Sequence, residues 1–106
     1  YAAPTLKNLT IVGNKYGIEC NSNSKPNVYN CIMWNNETPF YVNGGASPEV
    51  SYSLLQDRSL ESSYDKGNNV YSQDPMFMNL YQNDFSLRSG SPCIKSGKGN
   101  ANMGSE

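Results

Sequence analysis

The most constraining feature of this chain is a proline that recurs every 22 residues, at Pro4, Pro26 and Pro48. The segments that these prolines open, residues 4–12, 26–34 and 48–56, align without a gap. A fixed period of this length is typical of a solenoid, in which each repeat is one layer of chain stacked on the last. The repeat is too short for a pair of helices, and its richness in Asn, Ser, Gly and Tyr favours strands and tight turns. The period therefore predicts a stack of coils made of short strands.

Like residues recur at like positions of the repeat, which predicts columns of stacked side chains. Alternation of period two predicts one strand through Leu6, Asn8 and Thr10 and its repeats. The amides of Asn8 and Asn30 fall in one register, where they could hydrogen-bond along the column. Gly13-Asn14 and Asn35-Asn36 predict corners, because both residue types tolerate left-handed backbone. We expect the apolar members of the columns to be buried: Leu6, Val28, Val50, Ile11, Met33, Leu55, Ile18 and Phe40.

The register changes after the third proline segment. The next apolar strand, Val70-Tyr71, comes about eight residues later than the repeat predicts, and the pattern then becomes irregular. Solenoids need atypical terminal units that cover the last apolar cross-section. The sequence therefore predicts one domain with coils over residues 1–69, a C-terminal cap over 70–97 and a flexible tail over 98–106.

Charge and cysteine content exclude several classes of partner and site. Eight basic and nine acidic residues give a net charge of −1 without a basic stripe, so nucleic acid binding is not expected. No apolar run is long enough to predict insertion in a membrane. Histidine is absent, which makes a zinc site improbable for Cys20, Cys31 and Cys93. We predict that all three cysteines are reduced, with at least Cys31 and Cys93 buried.

Several short motifs in the C-terminal half resemble a known family. Asp74-Pro75-Met76-Phe77, Asp84-Phe85-Ser86-Leu87 and Gly90-Ser91-Pro92-Cys93-Ile94 with Gly97 resemble the C-terminal signature of right-handed parallel β-helix proteins. The segment Asn30–Asn36 is similar to the coil that precedes it. These are large secreted or surface proteins of Bacteroidetes and related bacteria, and their fold is that of the pectate lyases. The resemblance covers residues 26–97 and departs from the family at Lys95, where Asp is usual.

With the repeat, this resemblance implies an all-β fold, namely a right-handed parallel β-helix. This is a single-stranded solenoid of about three 22-residue coils plus a C-terminal cap. The implied location is secreted or at the bacterial cell surface. Such a fold hosts lyases, hydrolases, adhesins and passive stalks, so it leaves function open.

The residues that catalysis on this fold would need are not evident. No two acidic residues lie one period apart, so no carboxylate column can bind calcium. No carboxylate pair is singled out for hydrolysis, and histidine, the commonest general base, is missing. We interpret Asp74 and Asp84 as turn-capping residues. The sequence predicts no catalytic residue, no metal and no cofactor, and it favours a chain that is not an enzyme.

Aromatic residues on the strands are the better functional clue. Tyr29, Trp34 and Tyr41 are predicted contacts for a polysaccharide, because sugar rings stack on aromatic faces. The alternative is that they pack along the flank of the coils. We infer a structural and interaction module at the C-terminal end of a secreted or surface β-helix protein, with glycan binding as a candidate activity. The alternative is the non-catalytic end of a polysaccharide lyase or glycoside hydrolase whose active groove lies in upstream coils.

The first repeat begins at Pro4, close to the first residue of the chain. We therefore interpret the chain as the C-terminal fragment of a longer protein. The first coil would then lack the strands that should lie against Leu6–Thr10 and Ile18–Cys20. Unpaired strand edges are templates for pairing with another chain. The sequence therefore predicts a homodimer that forms through the exposed N-terminal coil.

Overall fold

A computed structural model of the chain describes residues 4–56, 63–79, 82 and 84–104. The regular structure in these residues is mostly extended, and a short 3₁₀ turn lies at Lys98–Asn100. The described strands, in chain order, are β1 (Thr5–Lys7), β2 (Thr10–Val12), β3 (Tyr16–Cys20), β4 (Asn27–Tyr29), β5 (Ile32–Trp34), β6 (Thr38–Val42), β7 (Glu49–Ser51), β8 (Leu54–Leu55), β9 (Val70–Tyr71), β10 (Phe77–Asn79) and β11 (Asp84–Leu87).

The strands form four small sheets, three of them parallel. Their orders are β1-β4-β7, β2-β5-β8-β9 and β3-β6, and β10 and β11 form an antiparallel pair. Leu6 pairs with Val28, and Val28 with Val50. The 22-residue register of this column is therefore confirmed, as it is for the column of Ile11, Met33 and Leu55.

The prediction of a single-stranded β-helix with three 22-residue coils and a cap is nevertheless wrong. The chain is a compact all-β structure of several small, mostly parallel sheets, none of which is closed. The 22-residue spacing holds for two successive steps, from β1 to β4 and from β4 to β7, and then stops. Val70 pairs with Leu54, which lies only 16 residues earlier in the chain, so β9 extends the sheet that contains β8. The sequence had instead predicted that Val70-Tyr71 is a strand of the third coil displaced by an insertion. The last two strands then pair antiparallel, unlike the strands of a parallel stack.

A second correction concerns the strand predicted to run without interruption through Leu6 and Thr10. The chain turns at Asn8, and at the equivalent Asn30 and Tyr52, because all three residues have left-handed backbone with φ of 56°, 57° and 50°. Each turn separates two short strands that belong to different sheets. The corners predicted at Gly13 and Asn35 are confirmed, with φ of 74° and 55°.

The inner faces of the three parallel sheets surround one apolar core. We call it core 1, and its buried members are Ile18, Cys20, Val28, Cys31, Met33, Ala46, Val50 and Leu55. Five of the eight residues predicted as core are buried here. The other three, Leu6, Ile11 and Phe40, pack against core 1 while remaining partly exposed.

A second core lies on the other face of the sheet β2-β5-β8-β9. We call it core 2, and its buried members are Ile32, Leu54, Phe77, Cys93 and Met103. Adjacent residues of β5 and β8 therefore point into different cores, as alternation along a strand requires. The C-terminal part of the chain covers the outer face of this sheet, and the sheet is buried on both faces.

The segment after residue 97 is anchored to that sheet. Lys98 N donates to the side-chain Oδ1 of Asn30, and Gly104 N donates to the Asn30 carbonyl, both at 2.7 Å. Asn30 thus hydrogen-bonds to the C-terminal segment. The predicted column of stacked amides required the Asn30 side chain to hydrogen-bond to Asn8 instead. Met103, in the segment predicted as a flexible tail, is completely buried in core 2.

Candidate functional site

The three aromatic residues predicted to contact a glycan lie in three different sheets. Tyr29 belongs to β4, Trp34 to β5 and Tyr41 to β6, and each has its own neighbours. They do not share a strand or a sheet that would align them along one binding face. Each side chain is therefore considered with the residues around it.

Tyr41 stacks on another tyrosine. Its ring centroid lies 4.7 Å from that of Tyr16, with 22° between the ring planes, and both side chains are 38% exposed. Lys15 Nζ lies 5.7 Å from the centroid of the Tyr16 ring. Because Tyr16 covers one face of the Tyr41 ring, only the other face is open to a sugar.

Tyr29 is half-buried and contacts the C-terminal segment. Lys98 Nζ lies 5.3 Å from the centroid of its ring, within the range of a cation–π interaction. The backbone of Lys98 is held by Asn30, the next residue after Tyr29. Tyr29 therefore lies where β4 meets the C-terminal segment, which covers core 2.

Trp34 lines a cleft with a volume of about 490 Å³. The indole is half-buried and packs against core 2, and β10 and the residue that follows β11, Arg88, also line the cleft. The residues that line this Trp34 cleft are Trp34, Asp74, Met76, Phe77, Met78, Asn79 and Arg88.

Two polar side chains of the Trp34 cleft, those of Asp74 and Arg88, make local hydrogen bonds. Asp74 Oδ1 accepts from the backbone N–H of Met76 at 2.8 Å, which confirms the predicted turn-capping role and fixes the carboxylate. Arg88 Nη2 donates to the carbonyl of Met78 at 3.2 Å across the β10–β11 pair. That bond uses one of the five N–H groups of the guanidinium.

The cleft therefore combines one indole, one carboxylate, one guanidinium and the amide of Asn79. Planar polar groups of these kinds accept from or donate to pairs of neighbouring hydroxyls, and an indole provides apolar area for a ring. Sequence reasoning identified Trp34 but missed Asn79 and Arg88 as site residues. They are about fifty residues further along the chain, and no spacing in the sequence connects them to Trp34.

The three cysteines are free and buried, as predicted. Burial raises the pKa of each thiol above its ordinary value, and that of Cys93 rises to about 11 although the Ser91 hydroxyl opposes the change. These thiols are therefore protonated at neutral pH and serve as small apolar side chains. Within the described part of the chain, no three His, Cys, Asp or Glu residues form a group that could hold a metal ion.

No described helix is long and apolar enough to cross a membrane.

Comparison of the chain with protein-family models, curated proteins and solved structures gives no match. The resemblance to β-helix proteins of Bacteroidetes and the location that it implies remain predictions from the sequence.

Proposed function

We propose that this chain is a non-enzymatic interaction module that binds a glycan in the Trp34 cleft. The observation that carries the proposal is the position of the indole, which lies half-buried in a cleft that also presents Asp74, Asn79 and Arg88. Ligand sites are typically concave and apolar, with a few polar groups that fix orientation. The lining of the cleft is more polar than that of a typical small-molecule site, which suits a ligand with many hydroxyl groups, and its volume of about 490 Å³ lies within the usual range for small ligands.

A sugar is the ligand class that fits these groups best. Its ring has apolar C–H faces that suit the indole, and its hydroxyls suit the amide of Asn79 and the carboxylate of Asp74, which is already oriented. The opposite charges of Asp74 and Arg88 favour a neutral ligand with many hydroxyl groups over a strongly anionic or cationic one. Because Asp74 is held by its own turn, little side-chain entropy is lost when it binds.

The other two predicted contacts are weaker candidates for a sugar platform. One face of the Tyr41 ring is covered by Tyr16, and the Tyr29 ring lies under the Lys98 ammonium. Both tyrosines also lie outside the cleft. We therefore assign them to packing on the flank of the sheets, the alternative that the sequence left open.

A glycan array followed by titration tests the proposal. The labelled chain is applied to the array, and the strongest glycan is titrated while the emission of Trp34 is followed. Trp34 is the only tryptophan, so the signal comes from the cleft alone. We expect Trp34→Ala to weaken binding about tenfold, measured by calorimetry, since stacking and area burial are lost.

Two further variants make the test specific. Asp74→Asn removes the carboxylate charge but keeps the acceptor for the Met76 N–H, so it should fold normally and still weaken binding. Tyr41→Ala is the matched aromatic control and should leave the affinity unchanged. Absence of any bound glycan, or binding lost only in Tyr41→Ala, would contradict the proposed function.

A further inference from the structure

Two turns of the same form are stacked one 22-residue repeat apart. They span residues 21–24 and 43–46, and in each the fourth N–H donates to the first carbonyl at 3.1 Å. The central residues have left-handed backbone, with φ of 55° and 64° in the first turn and 61° and 80° in the second. Positive φ at both central positions is the mark of a type I′ turn. Asn23 N donates to the Gly44 carbonyl at 2.9 Å and joins the two turns.

The two turns differ in the residue that follows their first asparagine. The first turn begins Asn21-Ser22, whereas the second begins Asn43-Gly44, which is the only Asn-Gly pair in the sequence. A Cβ on Gly44 would lie 2.7 Å from the backbone N of Ser22, so the stacking of the turns favours glycine at this position. The repeat therefore provides two asparagines in one backbone conformation with different neighbours.

The Asn43-Gly44 pair is open to solvent and to chemical attack. Asparagine is one of the thermolabile residue types, and both residues of this pair are exposed. Among the described residues, neither the Asn43 side-chain amide nor the Gly44 N–H has a hydrogen-bond partner. Asn43 is held through its backbone, since its N donates to the Cys20 carbonyl at 2.9 Å and its carbonyl accepts from Ala46 N. Glycine has no side chain to shield the Gly44 N, and its backbone is the most permissive.

We propose that Asn43 is a site of spontaneous deamidation, with water as the only co-reactant. The Gly44 N–H gives its proton to a base of the solvent, and the nitrogen attacks Cγ of Asn43. A new C–N bond forms while the bond from Cγ to the side-chain nitrogen breaks, and that nitrogen takes up a proton and leaves as ammonia. Water then opens the cyclic imide at either carbonyl, which gives aspartate or isoaspartate at position 43. The sum is one amide and one water converted to one acid and one ammonia, without oxidation or reduction.

Isoaspartate changes the second turn more than aspartate does. In isoaspartate the main chain runs through Cβ and Cγ, so the carbonyl that accepts from Ala46 N becomes part of a carboxylate outside the main chain. Ala46 is buried in core 1, and the turn therefore loosens where the chain enters that core. The proposal is independent of glycan binding, because no residue of the second turn lines the Trp34 cleft.

Incubation of the native chain at neutral and at mildly alkaline pH, followed by peptide mapping with mass spectrometry, tests the proposal. We expect Asn43 to convert several times faster than Asn21, with an equal amount of ammonia released. The rate should rise with pH, because the attacking nitrogen must lose its proton. Methylation by a protein isoaspartate methyltransferase measures the isoaspartate, and in that fraction the Ala46 N–H should exchange with solvent several times faster. Asn43→Gln should abolish the reaction, since it places the side-chain amide one methylene further away.

Ser22→Gly is the matched variant, because it creates the same Asn-Gly pair in the first turn. Ser22 has a φ of 55°, which glycine adopts readily, so the variant should fold normally. Asn21 should then convert at a rate close to that of Asn43. Conversion of Asn43 no faster than that of Asn21 in the wild-type chain, or only after unfolding in urea, would overturn the proposal. An unchanged Asn21 in the Ser22→Gly chain would contradict the role assigned to glycine in these turns.

Discussion

Replacing Met103 by alanine should destabilise the whole molecule, although the sequence places this residue in a glycine-rich tail. Met103 is fully buried in core 2, where it contacts the outer face of the sheet that contains Ile32 and Leu54. Its backbone N–H donates to the Cys93 carbonyl at 2.9 Å, which fixes the side chain in that position. Truncation therefore leaves a cavity that the neighbouring backbone cannot easily fill.

The size of the effect follows from burial. Removing a methionine side chain from water is worth about 1.5–3 kcal/mol, and the residual cavity adds to the loss. We expect Met103→Ala to lower the free energy of unfolding by about 2–5 kcal/mol. Domains of this size are stable by about 5–15 kcal/mol, so the change should be easily measured.

Urea denaturation followed by Trp34 emission measures the loss, because the indole packs against core 2. Met78→Ala is the matched control: Met78 is 50% exposed, and the same truncation there should change the free energy of unfolding by less than about 0.5 kcal/mol. Equal effects of the two substitutions would refute the assignment of Met103 to a core.

Three further outcomes are expected. Asn36→Ala should cost about 1–3 kcal/mol in urea denaturation, because the side chain accepts from Asn14 N at 3.0 Å and donates to the Ile11 carbonyl at 2.9 Å in a buried position. The pKa of Cys93 is about 11 when folded against an ordinary 9.0, so its contribution to stability is complete below pH 9.0 and is lost as pH rises towards 11. Thermal denaturation of wild type and Cys93→Ala across that interval should show a smaller pH dependence in the variant. A thiol reagent at neutral pH should modify none of the three cysteines in the native chain and all three after unfolding; one rapidly modified native thiol would contradict their burial.

The sequence predicts the lateral register of the parallel strands because stacked side chains must match in size and polarity. Leu6, Val28 and Val50 could be aligned from the repeat alone, and they pair as expected. The repeat does not show where stacking stops. The closer spacing of Leu54 and Val70 depends on how the chain after β8 returns, which no local pattern specifies.

Core 2 was not predicted, although the sequence contains a pattern that indicates it. Ile32-Met33 and Leu54-Leu55 are pairs of consecutive apolar residues, which is typical of strands buried on both faces. If the C-terminal segment only covered the end of the coils, the outward-facing residues Ile32 and Leu54 would have no apolar partner. The structure supplies that partner from the chain between Phe77 and Met103.

The candidate site was predicted in part. Trp34 was singled out because it is a strand aromatic, but the rest of its cleft comes from β10, the turn before it and Arg88, which directly follows β11. Asp74 was correctly interpreted as a turn cap, and the same hydrogen bond fixes a carboxylate that lines the cleft. The approach of Arg88 to the cleft depends on tertiary packing that periodicity does not encode.

The most direct test of the proposed function is a titration of the ¹⁵N-labelled chain with the strongest glycan from the array, followed by heteronuclear NMR. The single tryptophan gives one indole N–H signal, so the response of the cleft can be read without ambiguity. We predict that this signal shifts together with the amides of Asn79 and Arg88, while the amides of Tyr16 and Tyr41 stay unchanged. Saturable shifts confined to Tyr16 and Tyr41, or no shift at the indole, would contradict glycan binding in the Trp34 cleft.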